Sequence, residues 1–115
     1  MFQASHTALD AEGRSIVTLQ GEAGILALEA LEREMISISA TLARVLVFDL
    51  SGLTFAASIA IGNLVAVRNS LHQRGGRCFL AGARGEIAQV LHRSRVDGLF
   101  EMVGSVDEAL AATRA

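Results

Sequence analysis

Apolar and polar positions change period several times along the chain, and each change predicts a new element. Ser15-Ile16-Val17-Thr18-Leu19 is rich in β-branched side chains and predicts a strand. Residues 2–9 before it mix apolar and polar positions loosely. With Asp10-Ala11-Glu12-Gly13 as a turn, the two segments form a candidate hairpin whose first arm is the less regular. Gly21 and Gly24 end the strand, and the period lengthens. Ile25, Leu28, Leu31, Met35 and Ile38 recur at three and four, the spacing of one helical face over 25–41. Glu29 and Arg33 stand four apart on that helix in the favourable order.

Arg44-Val45-Leu46-Val47-Phe48-Asp49-Leu50 follows, a near-continuous apolar run of the kind a strand buried on both faces requires. Residues 51–55 predict a loop with Gly52 as its turn residue. Ser58, a good N-cap residue, opens a second helix with Ile61, Leu64, Val65, Val67 and Leu71 as its apolar stripe. It stops at Gln73-Arg74 before Gly75-Gly76, with Arg74 at the negative end of the dipole. Residues 77–81 predict a short strand, 86–94 a helix with Ile87, Val90 and Leu91 inward, and 99–103 another strand after a turn at Asp97-Gly98. Ser105 and Glu108 have capping-box spacing and open a last helix over 106–113. The order β-β-α-β-α-β-α-β-α predicts an α/β fold, a small mixed and mostly parallel sheet with helices packed against it.

Composition narrows the function classes. With 115 residues, 51% hydrophobic and 19% charged, the chain suits one domain over 1–115 with a core that needs no staples. Cys78 is the only cysteine, so there is no intrachain disulfide and no cysteine-based zinc cluster. All basic residues are Arg, which excludes a Walker lysine, a Schiff-base lysine and a Ser-Lys dyad. Ten basic against twelve acidic residues gives no electrostatic case for nucleic acid or anionic lipid. No secretory signal is visible. The longest apolar stretch, 53–67, is broken by Thr54, Ser58, Gly62 and Asn63, so membrane insertion is not expected and a cytoplasmic location is.

Candidate chemistry is sparse. His6, His72 and His92 lie on different elements, and His72 and His92 suit the C-terminal ends of their helices. There is no H-E-x-x-H and no paired-carboxylate motif, so neither a metal site nor glycosidase chemistry is expected. The glycines form no phosphate cradle, and no cofactor is implied. Cys78 reads as a small buried hydrophobe. What remains is the junction from Asp49 to Leu64. Ala56, Ala57, Ala60 and Gly62 permit close approach of another backbone, while Phe55, Ile59 and Ile61 stand where a helix start is usually polar. Two readings stay open. The segment is an apolar interaction lip beyond the carboxyl ends of the strands, or it is core with Ser58 only a cap.

At this junction the sequence resembles a STAS domain, the family of the bacterial anti-sigma factor antagonists. The family signature is an apolar strand ending in Asp-Leu-Ser, a loop, then Thr/Ser-Phe-x-Asp-Ser-Ser-Gly-Leu-Gly opening a helix. VLVFDLSGLTF matches it over 45–55. Downstream, Arg74-Gly75-Gly76-Arg77, Cys78-Phe79-Leu80-Ala81, Val96-Asp97-Gly98-Leu99-Phe100 and Val106-Asp107-Glu108-Ala109-Leu110 also match in order and spacing. The resemblance is weakest over 21–41.

The resemblance implies a non-catalytic domain that binds an anti-sigma factor with a serine kinase domain and is released when a serine is phosphorylated. That serine falls on Ser58. The family Asp before it is Ala57 here, the second Ser is Ile59, the Gly is Ala60, and Asn63 replaces a small apolar residue, while Gly62 keeps the later Gly. The implied partner surface is Phe55, Ala56, Ala57, Ser58, Ile59, Ile61, Gly62 and Asn63, flanked by 21–24 and 83–86. The altered motif leaves an alternative, a STAS accessory subunit of a lipid or anion transport system or of a sensory complex, without phosphorylation. The apolar content also allows a homodimer.

Overall fold

The computed structural model describes residues 2–8, 13–24, 33 and 44–113. Of the helix read over 25–41 only Arg33 is among them; the rest of it, the turn at 10–12 and the His6 side chain lie outside the described residues. The described elements are β1 (Gln3–Ala8), β2 (Arg14–Ala23), β3 (Val45–Ala56), α1 (Ser58–Gln73), β4 (Arg77–Ala81), α2 (Gly85–Arg93), a 3₁₀ turn at Asp97–Leu99, β5 (Glu101–Val103) and α3 (Val106–Ala112). They form one five-stranded sheet in the order β1-β2-β3-β4-β5. The β1–β2 pair is antiparallel, and β2–β3, β3–β4 and β4–β5 are parallel. The expected α/β class and mostly parallel sheet are what the structure has.

The sheet buries its two faces unequally. On one face Val17 and Leu19 of β2, Leu46, Phe48 and Leu50 of β3, and Leu80 of β4 meet Leu64, Val67 and Leu71 of α1 and Ile87 and Leu91 of α2. On the other face, Val47, Phe79 and Ala81 meet Ala109 of α3. Both sides of β3 are therefore covered, and its apolar run from Val45 to Phe48 follows from that. Ser105 accepts from the amide of Glu108 at 3.2 Å, and the Glu108 carboxylate accepts from the Gly104 amide, so the predicted cap starts α3.

The structure corrects three readings. First, β2 does not stop at Gly21. It continues to Ala23, and Gly21 stays inside it at φ +87°, a conformation open to glycine that lets the strand slip its register at Gly21/Glu22. Second, 51–55 is strand rather than loop: β3 runs unbroken to Ala56 and stays paired with β2 to that end, through two irregularities. Its register with β2 shifts once between Thr18 and Gln20 and again between Gly21 and Glu22. Each shift places an extra β3 residue against β2 and reverses which face the next side chain takes. Third, the last strand is shorter than 99–103, because Asp97–Leu99 is a 3₁₀ turn reached through Arg95 at φ +59°.

The end of α1 is sharp. The Gly76 amide donates to the Leu71 carbonyl at 2.8 Å and the Gly75 amide to the His72 carbonyl at 3.0 Å, a Schellman closure. A Cβ on Gly76 would lie 2.8 Å from the Arg44 carbonyl oxygen, so the chain entering β4 has no room for a side chain there. The Arg77 amide then donates to that same carbonyl at 2.8 Å and sets β4 beside β3. None of the described helices is long and apolar enough to cross a membrane.

Candidate functional site

The site is built where β3 hands the chain to α1. Pairing of β3 with β4 stops at Asp49 and Ala81, whereas pairing with β2 goes on to Ala23 and Ala56. Within the sheet, the last part of β3 is therefore paired with β2 alone. Two contacts fasten it: the Thr54 hydroxyl donates to the Gly21 carbonyl at 3.1 Å, and the Ala57 amide donates to the Ala23 carbonyl at 2.8 Å. Consecutive residues Thr54 and Phe55 are both exposed, a break in strand alternation that follows from the second register shift. Phe55 is 49% exposed, its ring 3.8 Å from where a Cβ on Gly24 would stand.

The helix start differs from expectation by one residue. Ala57, not Ser58, is the N-cap, with φ −71° and ψ 158°. Its carbonyl already accepts from the amides of Ala60 and Ile61 at 3.0 and 3.2 Å, so helical bonding begins one residue before Ser58. Ser58 occupies the first helical position, is exposed, and caps nothing. No acidic side chain sits in the first turn of α1. The amides of Ser58 and Ile59 have no acceptor among the described residues. The helix thus presents the positive end of its dipole, with no acidic side chain in its first turn, around the exposed Ser58 hydroxyl. No residue from Phe55 to Asn63 is titratable, so the segment carries no acid–base group of its own.

The structure divides the predicted contact residues. Phe55, Ser58, Ile59 and Gly62 are exposed, Ile59 by 49%, and a Cβ on Gly62 would meet nothing within 4 Å. Ala56, Ala57 and Asn63 are half-buried. Ile61 is corrected: at 5% exposure it joins Leu64 in the core and offers no surface to a partner. The Asn63 amide nitrogen is buried without a hydrogen-bond partner among the described residues. Of the flanking segments, 21–24 touches the site through Gly21, Ala23 and Gly24, while 83–86 follows β4 and lies beyond the point where β3–β4 pairing ends. Sequence reasoning missed Thr54 as a fastener. Its only signal was the Thr itself, a residue that commonly bonds backbone.

The other candidates lie apart from this junction. His72 and His92 sit in the last turns of α1 and α2, and His92 Nδ1 lies 2.9 Å from Asp97 Oδ2, which holds the Asp97 carboxyl below its ordinary range. Cys78 is 6% exposed, and burial pushes its thiol up to about 12. No group of three His, Cys, Asp or Glu suited to a metal occurs among the described residues.

These features define a small α/β domain that presents a neutral, apolar-flanked helix start at the carboxyl end of its central strand. The chain belongs to the STAS domain family, whose model matches residues 7–109. It is similar to the crystal structure of an anti-sigma factor antagonist from Mycobacterium paratuberculosis, with 28% identity and a TM-score of 0.83 over 98% of this chain and 96% of that one. It is also similar to the STAS domain of a SulP transporter from Vibrio cholerae, at 27% identity and a TM-score of 0.69, covering 90% of this chain and 82% of the other. The phosphorylated form of SpoIIAA, a Bacillus cell fate determinant, shares the fold at 19% identity, with a TM-score of 0.73 over 99% and 100% of the two chains.

Proposed function

We propose that the whole chain is a single cytoplasmic, non-catalytic binding domain that docks through Phe55, Ser58, Ile59 and Gly62 onto an anti-sigma factor with a serine kinase domain, and that Ser58 is the phosphate acceptor. One observation carries this reading: the Ser58 hydroxyl stands free at an uncapped helix start between two half-exposed apolar side chains, Phe55 and Ile59. Similarity to the mycobacterial antagonist supports the choice of partner class.

The physics of such a switch is direct. A phosphate on Ser58 adds about −1.5 to −2 charges to a neutral patch. In the free domain the open amides and the dipole accommodate it. A partner seated on Phe55 and Ile59 would have to strip its water, so the complex weakens while the fold stands.

Calorimetric titration against the kinase domain of an anti-sigma factor from the same genome tests the reading. Ser58→Glu should bind at least about tenfold more weakly than wild type, and Ser58→Ala about as well, as expected for a charge forced into a desolvated contact. Equal affinity for all three would remove Ser58 from the switch.

A second reading rests on two observations. Ala57 replaces the Asp that the resembling motif carries before its serine, and the Vibrio transporter domain is about as similar in sequence as the mycobacterial antagonist. In it the domain is an accessory subunit of a transport system, bound constitutively through the same lip. Co-purification with transporter subunits instead of a kinase would select it.

A further inference from the structure

A second feature lies near the opposite end of α1, about 15 Å along the helix from Ser58 at 1.5 Å per residue. A half-open cleft of about 260 Å³ runs between the C-terminal half of α1 and the β4–β5 margin of the sheet. Arg68 and His72, one turn apart, form one wall; Arg77 and Glu101 form the other; Cys78 and Leu99 supply apolar surface. At roughly 30 Å³ per water, the space equals about eight or nine waters.

The charges in this cleft do not cancel. Arg77 and Glu101 satisfy each other: Arg77 Nε donates to Glu101 Oε2 at 2.8 Å, and its second terminal nitrogen donates to Oε1. Arg68 has no such partner. Its Nε donates to the Leu99 carbonyl at 2.8 Å and one terminal nitrogen to the Asn69 side chain at 3.1 Å. Among the described residues no carboxylate lies within ion-pair distance of it. Arg68 is a half-buried residue whose guanidinium is fixed by a backbone carbonyl, keeps unused donors, and lines the same cleft as His72. Holding a cation this way costs part of its hydration without supplying a counter-charge.

We infer that this cleft is a binding site for a small organic anion, a carboxylate on a short apolar chain, with the carboxylate on Arg68 and His72 and the chain against Leu99 and Cys78. A planar guanidinium held in one orientation matches a carboxylate's two oxygens. The Arg77–Glu101 pair adds no net charge and closes the far wall. Leu99 is 38% exposed, an apolar surface left open beside a cation. The Cys78 thiol, neutral and buried, behaves here as apolar wall. The inference concerns a different end of α1 from the docking lip, so either stands if the other fails.

Amide NMR of the full chain tests it, with butyrate as probe and butanamide as its neutral counterpart. Butyrate should produce saturable shifts at Arg68, His72, Cys78, Leu99 and Glu101 and none at Ser58. Butanamide should bind at least about tenfold more weakly, as loss of a charge-assisted hydrogen bond implies. Arg68→Gln should weaken butyrate by a similar factor. His72→Gln, at an exposed position that leaves the fold intact, should weaken it severalfold and keeps the test open if Arg68→Gln fails to fold. Shifts that rise without saturating, or equal binding of acid and amide, would overturn the site.

Discussion

The amide of Ala57 donates to the carbonyl of Ala23 at 2.8 Å, tying the first residue before α1 to the last residue of β2. Because pairing with β4 has ended by then, this bond and the Thr54 to Gly21 contact fix where Phe55 and Ser58 stand. Neighbouring residues at the helix start consequently divide between surface and core, and substitutions there should separate binding from stability.

Ile61→Ala should cost about 2–5 kcal/mol, the range for deleting a buried aliphatic side chain, whereas Ile59→Ala, half-exposed, should stay within about 1 kcal/mol. Urea unfolding of both variants checks the contrast. Equal losses would mean that Ile59 is as firmly packed as Ile61.

Phe55→Ala should leave the unfolding midpoint nearly unchanged and lower affinity for a kinase-domain partner by more than about tenfold, the behaviour of an aromatic anchor at an interface. A variant that unfolds early yet binds normally would reverse these roles.

Gly76→Ala places a methyl 2.8 Å from the Arg44 carbonyl oxygen, a contact that only a backbone shift relieves. A loss of about 1–3 kcal/mol is expected, as for overpacking. Gly62→Ala, with open space around it and a helical backbone, should be neutral or stabilising by up to about 1 kcal/mol. Thermal denaturation of the pair reads the difference directly.

The Arg77–Glu101 pair sets a small acid sensitivity. Hydrogen bonds from Arg77 hold the Glu101 carboxyl below its ordinary range, and the same bonds raise the Arg77 guanidinium. A depressed carboxyl pKa stabilises the fold fully above the unfolded value of about 4.3, and the contribution fades as pH falls through the folded value. With the two side chains 43% and 45% exposed, screening keeps it below about 1 kcal/mol. Stability measured from pH 7 down to 3 should fall less steeply in Glu101→Gln than in wild type.

Cys78, with its thiol pushed up to about 12 by burial, should resist iodoacetamide in the native protein at pH 8 and react fully once urea unfolds it. Labelling followed by mass spectrometry distinguishes a sealed thiol from an accessible one.

Much of this fold was legible from residue pattern. The apolar run from Val45 to Phe48 announced a strand covered on both faces, Gly75-Gly76 announced the end of α1, and Ser105 with Glu108 announced the start of α3. The stretch from Ser51 to Ala56 was not legible as strand. Alternation is the strand's only sequence signal, and two register shifts reverse it within a few residues, so Leu53 turns inward while Thr54 and Phe55 both turn out. Gly21 misled for the same reason, since a glycine that permits a slip inside a strand looks the same as one that ends it. At the candidate site, the motif placed Ser58 at the helix start. It could not show that Ala57 is the cap, because that boundary is set by Ala23, 34 positions earlier in the chain (57 − 23 = 34).

The stretch of β3 beyond β4 is a cantilever, clamped along one side and free along the other. A load applied at its tip is borne by β2 before any other strand. Deuterium uptake at the Ala57 amide should therefore register capture of the lip sooner than any probe in the sheet centre, and a partner that pulls on Phe55 pulls first on Glu22, the β2 residue opposite it.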